Sequence, residues 1–458
     1  MDLYLYNTLS RQKEKFSPLN DSLVGLYTCG PTVYHYAHLG NLRTYLFEDI
    51  LKRVLLYNDY HLRHVMNITD VGHLTGDRDM GEDKMEKGAS REGKSAWEVA
   101  DFFLKAFQED LVSLNILDPD IWCKATDYIQ AQIHLIQTLE AKDYVYLTSD
   151  GVYFDSAKFP DYNKLSHLKL DELKEGARVE KNSEKKNPTD FALWKFSPSG
   201  AKRQMEWSSP WGIGFPGWHI ECSAMALHFL KGHLDIHCGA VDHINVHHTN
   251  EIAQSEAATG EKFFNFWLHG AFLNVGDDQK MSKSADNFLT LTKTLEETGL
   301  DPLAVRFWSF LTHYRKPMTY KAEAIKQAGA ALSALRRAML GWPEPSTLDK
   351  ALLDDFHTAI NDDLNMPQAV AVLQATVKAE LDPAVKAATV QEMDKIFGLN
   401  FNFTLQEDIP SEIRQLAARR EEARNEEDWS LADDLRTELT RRGWTIEDSS
   451  EGSRLRRV

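Results

Sequence analysis

The chain has 458 residues, 43% of them apolar and 26% charged, a balance that supports a large buried core and excludes a disordered or fibrous protein. A net charge of −17 excludes bulk electrostatic capture of nucleic acid and leaves room for a local basic surface at most. No apolar run reaches the ~18 residues of a membrane span, and the opening residues have no apolar signal core, so a cytoplasmic protein with no membrane contact is expected.

In chain order, "VGLYTCGPTVYHY" (24–36) predicts a buried strand running into a Gly-Pro turn. Leu42, Leu46, Phe47, Ile50, Leu51, Val54 and Leu55 recur at helical spacing and predict a helix over 39–57. "HLRHVMNIT" (61–69) reads as a second strand, so the first unit is strand, helix, strand with a parallel pairing. Residues 71–94 mix charges and glycines as an exposed loop does. Helices are expected at 95–114 and 126–141, a hairpin at 144–155, and a polar insertion at 156–205. A loop feeding a helix follows at 214–230, then a strand at 233–240, a helix at 247–259 and a strand or strand pair at 264–275. Beyond residue 290 the pattern is almost wholly helical, with joints at "PEPS" (343–346) and "EDIPSE" (407–412).

Four cysteines, at 29, 123, 222 and 238, are too few for a disulfide framework and raise the question of metal binding. In "NVHHTNEIAQSEA", His247 and Glu251 lie four apart and share a helix face, with His248 turned elsewhere. An imidazole and a carboxylate suit zinc, although a surface His–Glu pair has the same spacing. Cys222 at a loop-to-helix junction and Cys29 at the end of the first strand add two thiolates. His237 and Cys238 form a rival pair, but Cys238 also fits a small buried strand residue. Cys123 fits packing or a surface thiol.

"HLGN" (38–41) opens the first helix, where free N–H groups and the positive dipole end favour phosphate. Thr32, His35 and His38 recur at three-residue steps beside it, and Gly40 leaves room for a nucleotide base. "KMSKS" (280–284) follows a turn, and its Lys280 and Lys283 can neutralise a leaving pyrophosphate.

"HLGN" with "KMSKS" resembles the signature pair of class I aminoacyl-tRNA synthetases. "LYTCGPTVYHYAHLGN", "GWHIECSAM", "DIHCGAVD" and "HHTNEIAQSEA" resemble the cysteinyl-tRNA synthetases, over nearly the whole chain. The resemblance implies an α/β fold. A Rossmann-like parallel-sheet catalytic domain would occupy 1–120 and 213–290, split by a connective insertion at 121–212. A stem-contact fold at 291–345 and a helical anticodon-binding region at 346–458 would follow.

It also implies one Zn²⁺ per chain on Cys29, Cys222, His247 and Glu251. The amino-acid pocket would be Cys29, Thr69, Trp218, His237 and Asp242. The ATP site would be Thr32, His35, His38, Gly40, Asn41, Lys280 and Lys283, with His35, His38 and the two lysines serving catalysis and Mg²⁺ accompanying ATP. The implied reaction joins L-cysteine to tRNA(Cys) through cysteinyl-adenylate in a monomeric enzyme, with Trp429, Arg436, Arg441, Arg442 and Trp444 offered to tRNA. Packing alone separates cysteine from serine by roughly 10²-fold; zinc prefers thiolate and strengthens the choice. Four protein ligands normally close a zinc site, so the substrate would add as a fifth ligand or loosen Glu251.

Three stretches depart from the family pattern. "VGHLTGDRDMGED" precedes Lys84, "CGAVDHINVHH" adds His243 and Cys238 near the metal residues, and Leu455 stands where a tryptophan is common near the end. Two other functions compete: a ligase joining cysteine to a small-molecule amine, and an inactive zinc-stabilised RNA-binding protein.

Overall fold

The computed structural model describes all residues except 73–84, 86–92, 168–182, 199–202, 276–278, 281–287, 402–410, 426–427, 450–451 and 458. Five parallel strands form the central sheet: β1 (Val24–Thr28), β2 (Leu62–Ile68), β3 (Ile121–Lys124), β4 (Ile236–Ala240) and β5 (Phe266–Gly270). Their spatial order is 5-4-1-2-3. The order reverses between β1 and β4, the point at which open α/β sheets bind ligands beyond the carboxyl ends of their strands. Strand β3, at the start of the insertion expected over 121–212, pairs with β2 in this sheet.

Helices α1 (Leu39–Tyr57), α2 (Ala96–Ser113), α3 (Ile129–Ala141), α4 (Trp218–Leu230) and α5 (Thr249–Thr259) accompany the sheet. Helix α1 is capped by its own motif. Asn41 N donates to His38 Nδ1 at 3.1 Å, and His38 N donates to Asn41 Oδ1 at 3.2 Å, which makes "HLGN" a capping box. The helix is buried on nearly every face because the C-terminal helices cover the side turned from the sheet. Among its polar residues, Asp49 is shared by two arginines, Arg53 at 2.8 Å and the fully buried Arg306 at 2.5 Å.

The insertion is an antiparallel sheet in the order 145–148, 151–154, 191–196, 212–216, 207–209. Its first two strands form the expected hairpin, which turns at Ser149 and Asp150 with Gly151 already paired to Thr148.

Helices α6 (Leu291–Thr298), α7 (Pro302–Phe310), α8 (Ala322–Met339), α9 (Lys350–Asn361), α10 (Met366–Lys378) and α11 (Pro383–Phe397) then pack as a helical body on α1. A short strand at 318–320 pairs with 273–275 and ties that body to the catalytic half. The last unit holds α12 (Ser411–Asn425) and α13 (Trp429–Arg441) and closes with an antiparallel hairpin, 444–449 with 452–457. The wholly helical end expected from the sequence is therefore corrected. Alternation in "WTIED" is too short a strand signal to stand out from a helical neighbourhood. No helix among the described residues is long and apolar enough to cross a membrane.

Candidate active site

Cys29 directly follows β1, Cys222 lies in α4, Glu251 in α5, and His247 in the turn before α5. All four are buried, and their ligand atoms lie within 4.8 Å of one another. Glu251 divides its oxygens: Oε1 is 3.0 Å from His247 Nε2, and Oε2 is 3.0 Å from His237 Nε2. Burial opposes the charge on Glu251, but the imidazoles of His237 and His247 outweigh it and hold the carboxyl at about 2. Burial also opposes a charged His247, which Glu251 and Cys222 lift to about 10. The hydrogen bond with Cys29 lowers Cys222, whereas burial raises Cys29. Two sulfurs, an imidazole nitrogen and a carboxylate oxygen drawn together out of water fit a zinc ion.

The structure corrects the placement of His248. Residues Ile244–His248 form a π-helical turn, so the α-helical angle between neighbours does not hold there. His248 consequently faces inward too, with its Nε2 3.3 Å from Cys29 Sγ, and Cys29, His237, His248 and Glu251 make a second cluster of the same compactness. His248 Nδ1 pairs with His269 Nε2 at 2.8 Å, and His269 Nδ1 with Thr8 Oγ1 at 2.8 Å. On the other side, His219 Nδ1 is 3.1 Å from His247 Nδ1, leaving Nε2 of His247 to face Glu251. His219 and His269 escaped the sequence reading. Only the position of His219 inside "GWHIEC" hinted at a role, and nothing in the spacing marked His269.

One cleft joins these residues to the helix cap. It is lined by Cys29, Thr32, His35, His38, Asn41, Thr69, Trp218, Cys222, Asp242 and His247, among others. Gly30 makes the first turn possible: a Cβ there would lie 1.6 Å from the carbonyl oxygen of Asn67. A backbone bridge sets Thr32 beside Thr69, and Thr69 Oγ1 donates to the buried Glu221 at 3.2 Å. Trp218 stacks on His247 with centroids 4.2 Å apart. His237 lies beneath the cleft wall, stacked on Trp267 at 4.7 Å. His38 accepts from Asn41 N through Nδ1, which leaves the proton of the neutral ring on Nε2. A Cβ at Gly40 would meet the His38 ring at 3.0 Å, so the absence of a side chain there admits the cap.

Lys280 ends a two-residue strand paired with 273–275, and Lys283 lies outside the described residues. In the last unit Trp429 is exposed, as is Arg436, while Arg441 and Arg442 pair with Glu438. Trp444 is 6% exposed and packs with Ile413, Leu439 and Ile446, so it is core rather than a stacking surface. Cys238 and Cys123 are buried free thiols in the sheet.

Comparison with known proteins matches residues 15–330 to the class I (C) tRNA synthetase catalytic domain and residues 406–456 to the cysteinyl-tRNA ligase anticodon-binding domain. A cysteine–tRNA ligase 1 of Burkholderia lata is 50% identical, over 99% of this chain and 97% of that protein. The cysteine–tRNA ligase of Treponema denticola is 42% identical, over 98% of each chain. Among solved structures, a methionyl-tRNA synthetase of Mycobacterium tuberculosis aligns with a TM-score of 0.55 at 15% identity, covering 82% of this chain and 90% of that one. A leucyl-tRNA synthetase from Agrobacterium radiobacter aligns at 0.57 and 11%, covering 84% of both. At such identities the structures speak to the fold. With the fold, the sulfur-rich cluster and the capped helix end already in place, these full-length matches settle the kinship: the chain belongs to the cysteine–tRNA ligase family of class I synthetases.

Proposed function

We propose that the chain couples L-cysteine to the 3′ end of tRNA(Cys) in two steps, through cysteinyl-adenylate, with ATP entering as its Mg²⁺ complex. The observation that carries this reading is the Cys29–Cys222–His247–Glu251 cluster opening into the same cleft as the His38–Asn41 cap. In the first step the substrate carboxylate attacks the α-phosphate and pyrophosphate leaves. No side chain acts as a nucleophile; the protein positions and neutralises. His38, with its proton on Nε2, donates to phosphate oxygen at the positive end of α1, where Thr32, His35 and Asn41 supply further polar contacts. Lys280 and Lys283 are assigned to the leaving pyrophosphate on the strength of their motif. Thr69, Trp218 and Asp242 line the amino-acid end, and His237 braces Glu251 from below.

Cys29, Cys222, His247 and Glu251 would hold one Zn²⁺, whose preference for thiolate over hydroxyl separates cysteine from serine. In the second step a hydroxyl of the terminal ribose attacks the activated carbonyl and AMP departs. Trp429, Arg436, Arg441 and Arg442 are assigned to tRNA. Four buried free thiols fit a reducing cytoplasm.

A ligase that passes cysteine to a small amine has no use for the anticodon-binding match at 406–456, and that match favours tRNA. Cysteine-dependent ATP–pyrophosphate exchange run beside charging of tRNA(Cys) tests the choice. Both activities are expected, and exchange without charging contradicts the reading.

A further inference from the structure

We propose that Tyr36 and Phe102 form a stacking platform for the bases of the single-stranded RNA end that receives cysteine. The inference rests on the reading that the acceptor is a tRNA. Tyr36 sits in the loop entering α1 and Phe102 on the first half of α2, and they are 41% and 42% exposed. Their ring centroids are 6.1 Å apart at 72°. Both rest on Phe103, at 5.0 Å and 5.1 Å, and Phe103 is itself 2% exposed. A buried ring thus fixes two exposed ones, and the start of α2 is fixed by the Ser95–Glu98 capping box. Each ring offers a flat apolar face at little ordering cost, and because the two faces are inclined at 72° they would take two bases splayed apart, without regard to sequence.

Two further observations point to RNA rather than to another apolar surface. Lys94 Nζ lies over the Phe102 ring, 4.4 Å from its centroid, so a cation on a flexible stem is held beside the platform and can swing to a phosphate of an entering strand. Tyr36 and the supporting Phe103 also line the cleft that contains Cys29, Thr69, Trp218 and His38, so the platform borders the reaction site on its Tyr36 side, with Phe102 next outward. The terminal ribose must enter that cleft to reach the activated carbonyl, and the nucleotides before it must then cross the rim. With a net charge of −17, a local stacking surface holds the RNA end where long-range attraction does not. Two rings fall far short of the roughly 800 Å² per partner that a stable protein interface needs, which disfavours a second copy of the chain.

The test uses the full-length metal-loaded enzyme, the variants Phe102→Ala and Phe102→Trp, and tRNA(Cys) carrying fluorescent pyrrolocytidine at its penultimate nucleotide. Cysteine-dependent pyrophosphate exchange is expected within about twofold of wild type in both variants. Charging at sub-saturating tRNA is expected to fall about tenfold in Phe102→Ala and to recover in Phe102→Trp. Wild type and Phe102→Trp are expected to quench the fluorophore, and Phe102→Ala to leave it bright. Equal charging and quenching by Phe102→Ala overturns the proposal. So does joint loss of exchange and charging, which assigns Phe102 to packing, and so does a wild-type dimer in sedimentation that Phe102→Ala splits. A wild type that exchanges but charges no tRNA overturns the functional reading beneath it, a result distinct from failure of the platform alone.

Discussion

His219 Nδ1 lies 3.1 Å from Nδ1 of His247, so a residue outside the metal cluster sets the ring whose Nε2 faces Glu251. Partners of this kind fix the tautomer and orientation of a ligating imidazole. The variant His219→Ala is expected to weaken zinc binding about 10–100-fold while the fold persists. Competition against a chromophoric chelator measures it, and unchanged affinity would remove His219 from the account of the site.

Cys222→Ser replaces a soft thiolate by a hard, weakly acidic hydroxyl among the four clustered ligand atoms. The expected outcome is loss of bound zinc with loss of cysteine-dependent pyrophosphate exchange. Metal content by atomic emission, taken beside the exchange rate, checks both. A metal-free Cys222→Ser enzyme of normal rate refutes the assignment.

How much of this was legible in the chain depends on the range of the forces involved. Helix 39–57 was visible because its apolar residues repeat at a local period, and the structure reproduces its bounds. Four sheet strands, Val24–Thr28, Leu62–Ile68, Ile236–Ala240 and Phe266–Gly270, lie inside segments that read as strand, whereas the four-residue strand Ile121–Lys124 is too short to show a period and was not read; the order 5-4-1-2-3 is fixed by long-range packing. Spacing paired only His247 with Glu251; the set with Cys29 and Cys222 came from the family resemblance, since nothing local brings Cys29 to Cys222. The π-turn before α5 defeated a helical-wheel reading of His248, and the terminal hairpin was hidden by two short strands after a polar helix pair. The contacts of Lys283 and of loop 71–94 fall largely outside the described residues.

Arg306 joins the helical body to α1. It donates to Asp49 at 2.5 Å, to the carbonyl of Phe397 at 2.6 Å and to that of Leu114 at 3.0 Å, and it is fully buried. Arg306→Ala leaves Asp49 in the core with one partner fewer, at a cost of roughly 3–5 kcal/mol. Thermal unfolding is expected to shift strongly downward, and Arg306→Lys to recover little of it because lysine lacks the planar fork. A variant that melts with wild type shows that the cluster contributes no stability.

Asp70 supplies a pH test away from the metal. Burial, opposed by the bonds from Thr126, raises its carboxyl from 3.8 to about 6. The folded state therefore binds the proton more tightly than the unfolded chain. Stability from this group is full below pH 3.8 and is lost as pH rises through about 6. Relative to Asp70→Asn, wild type is expected to lose up to about 3 kcal/mol between those limits. Denaturant titrations across the window measure it, and a pH-independent difference contradicts the shift.

Removal of 411–458 deletes α12, α13 and the terminal hairpin, which build their own small core around Leu439 and Trp444. The truncated enzyme is expected to form cysteinyl-adenylate at the normal rate and to charge tRNA(Cys) at least tenfold more slowly, by analogy with losing several phosphate and base contacts. Equal charging by both forms shows the segment to be dispensable.

The central claim is that a sulfur-preferring ion at Cys29, Cys222, His247 and Glu251 selects the amino acid. The most direct measurement pairs zinc content of the purified chain with pyrophosphate exchange on cysteine and on serine, before and after chelation. The account predicts one zinc per chain, strong preference for cysteine, and loss of exchange when the metal is withdrawn and its return when zinc is restored. Protein without metal that still prefers cysteine to serine contradicts it.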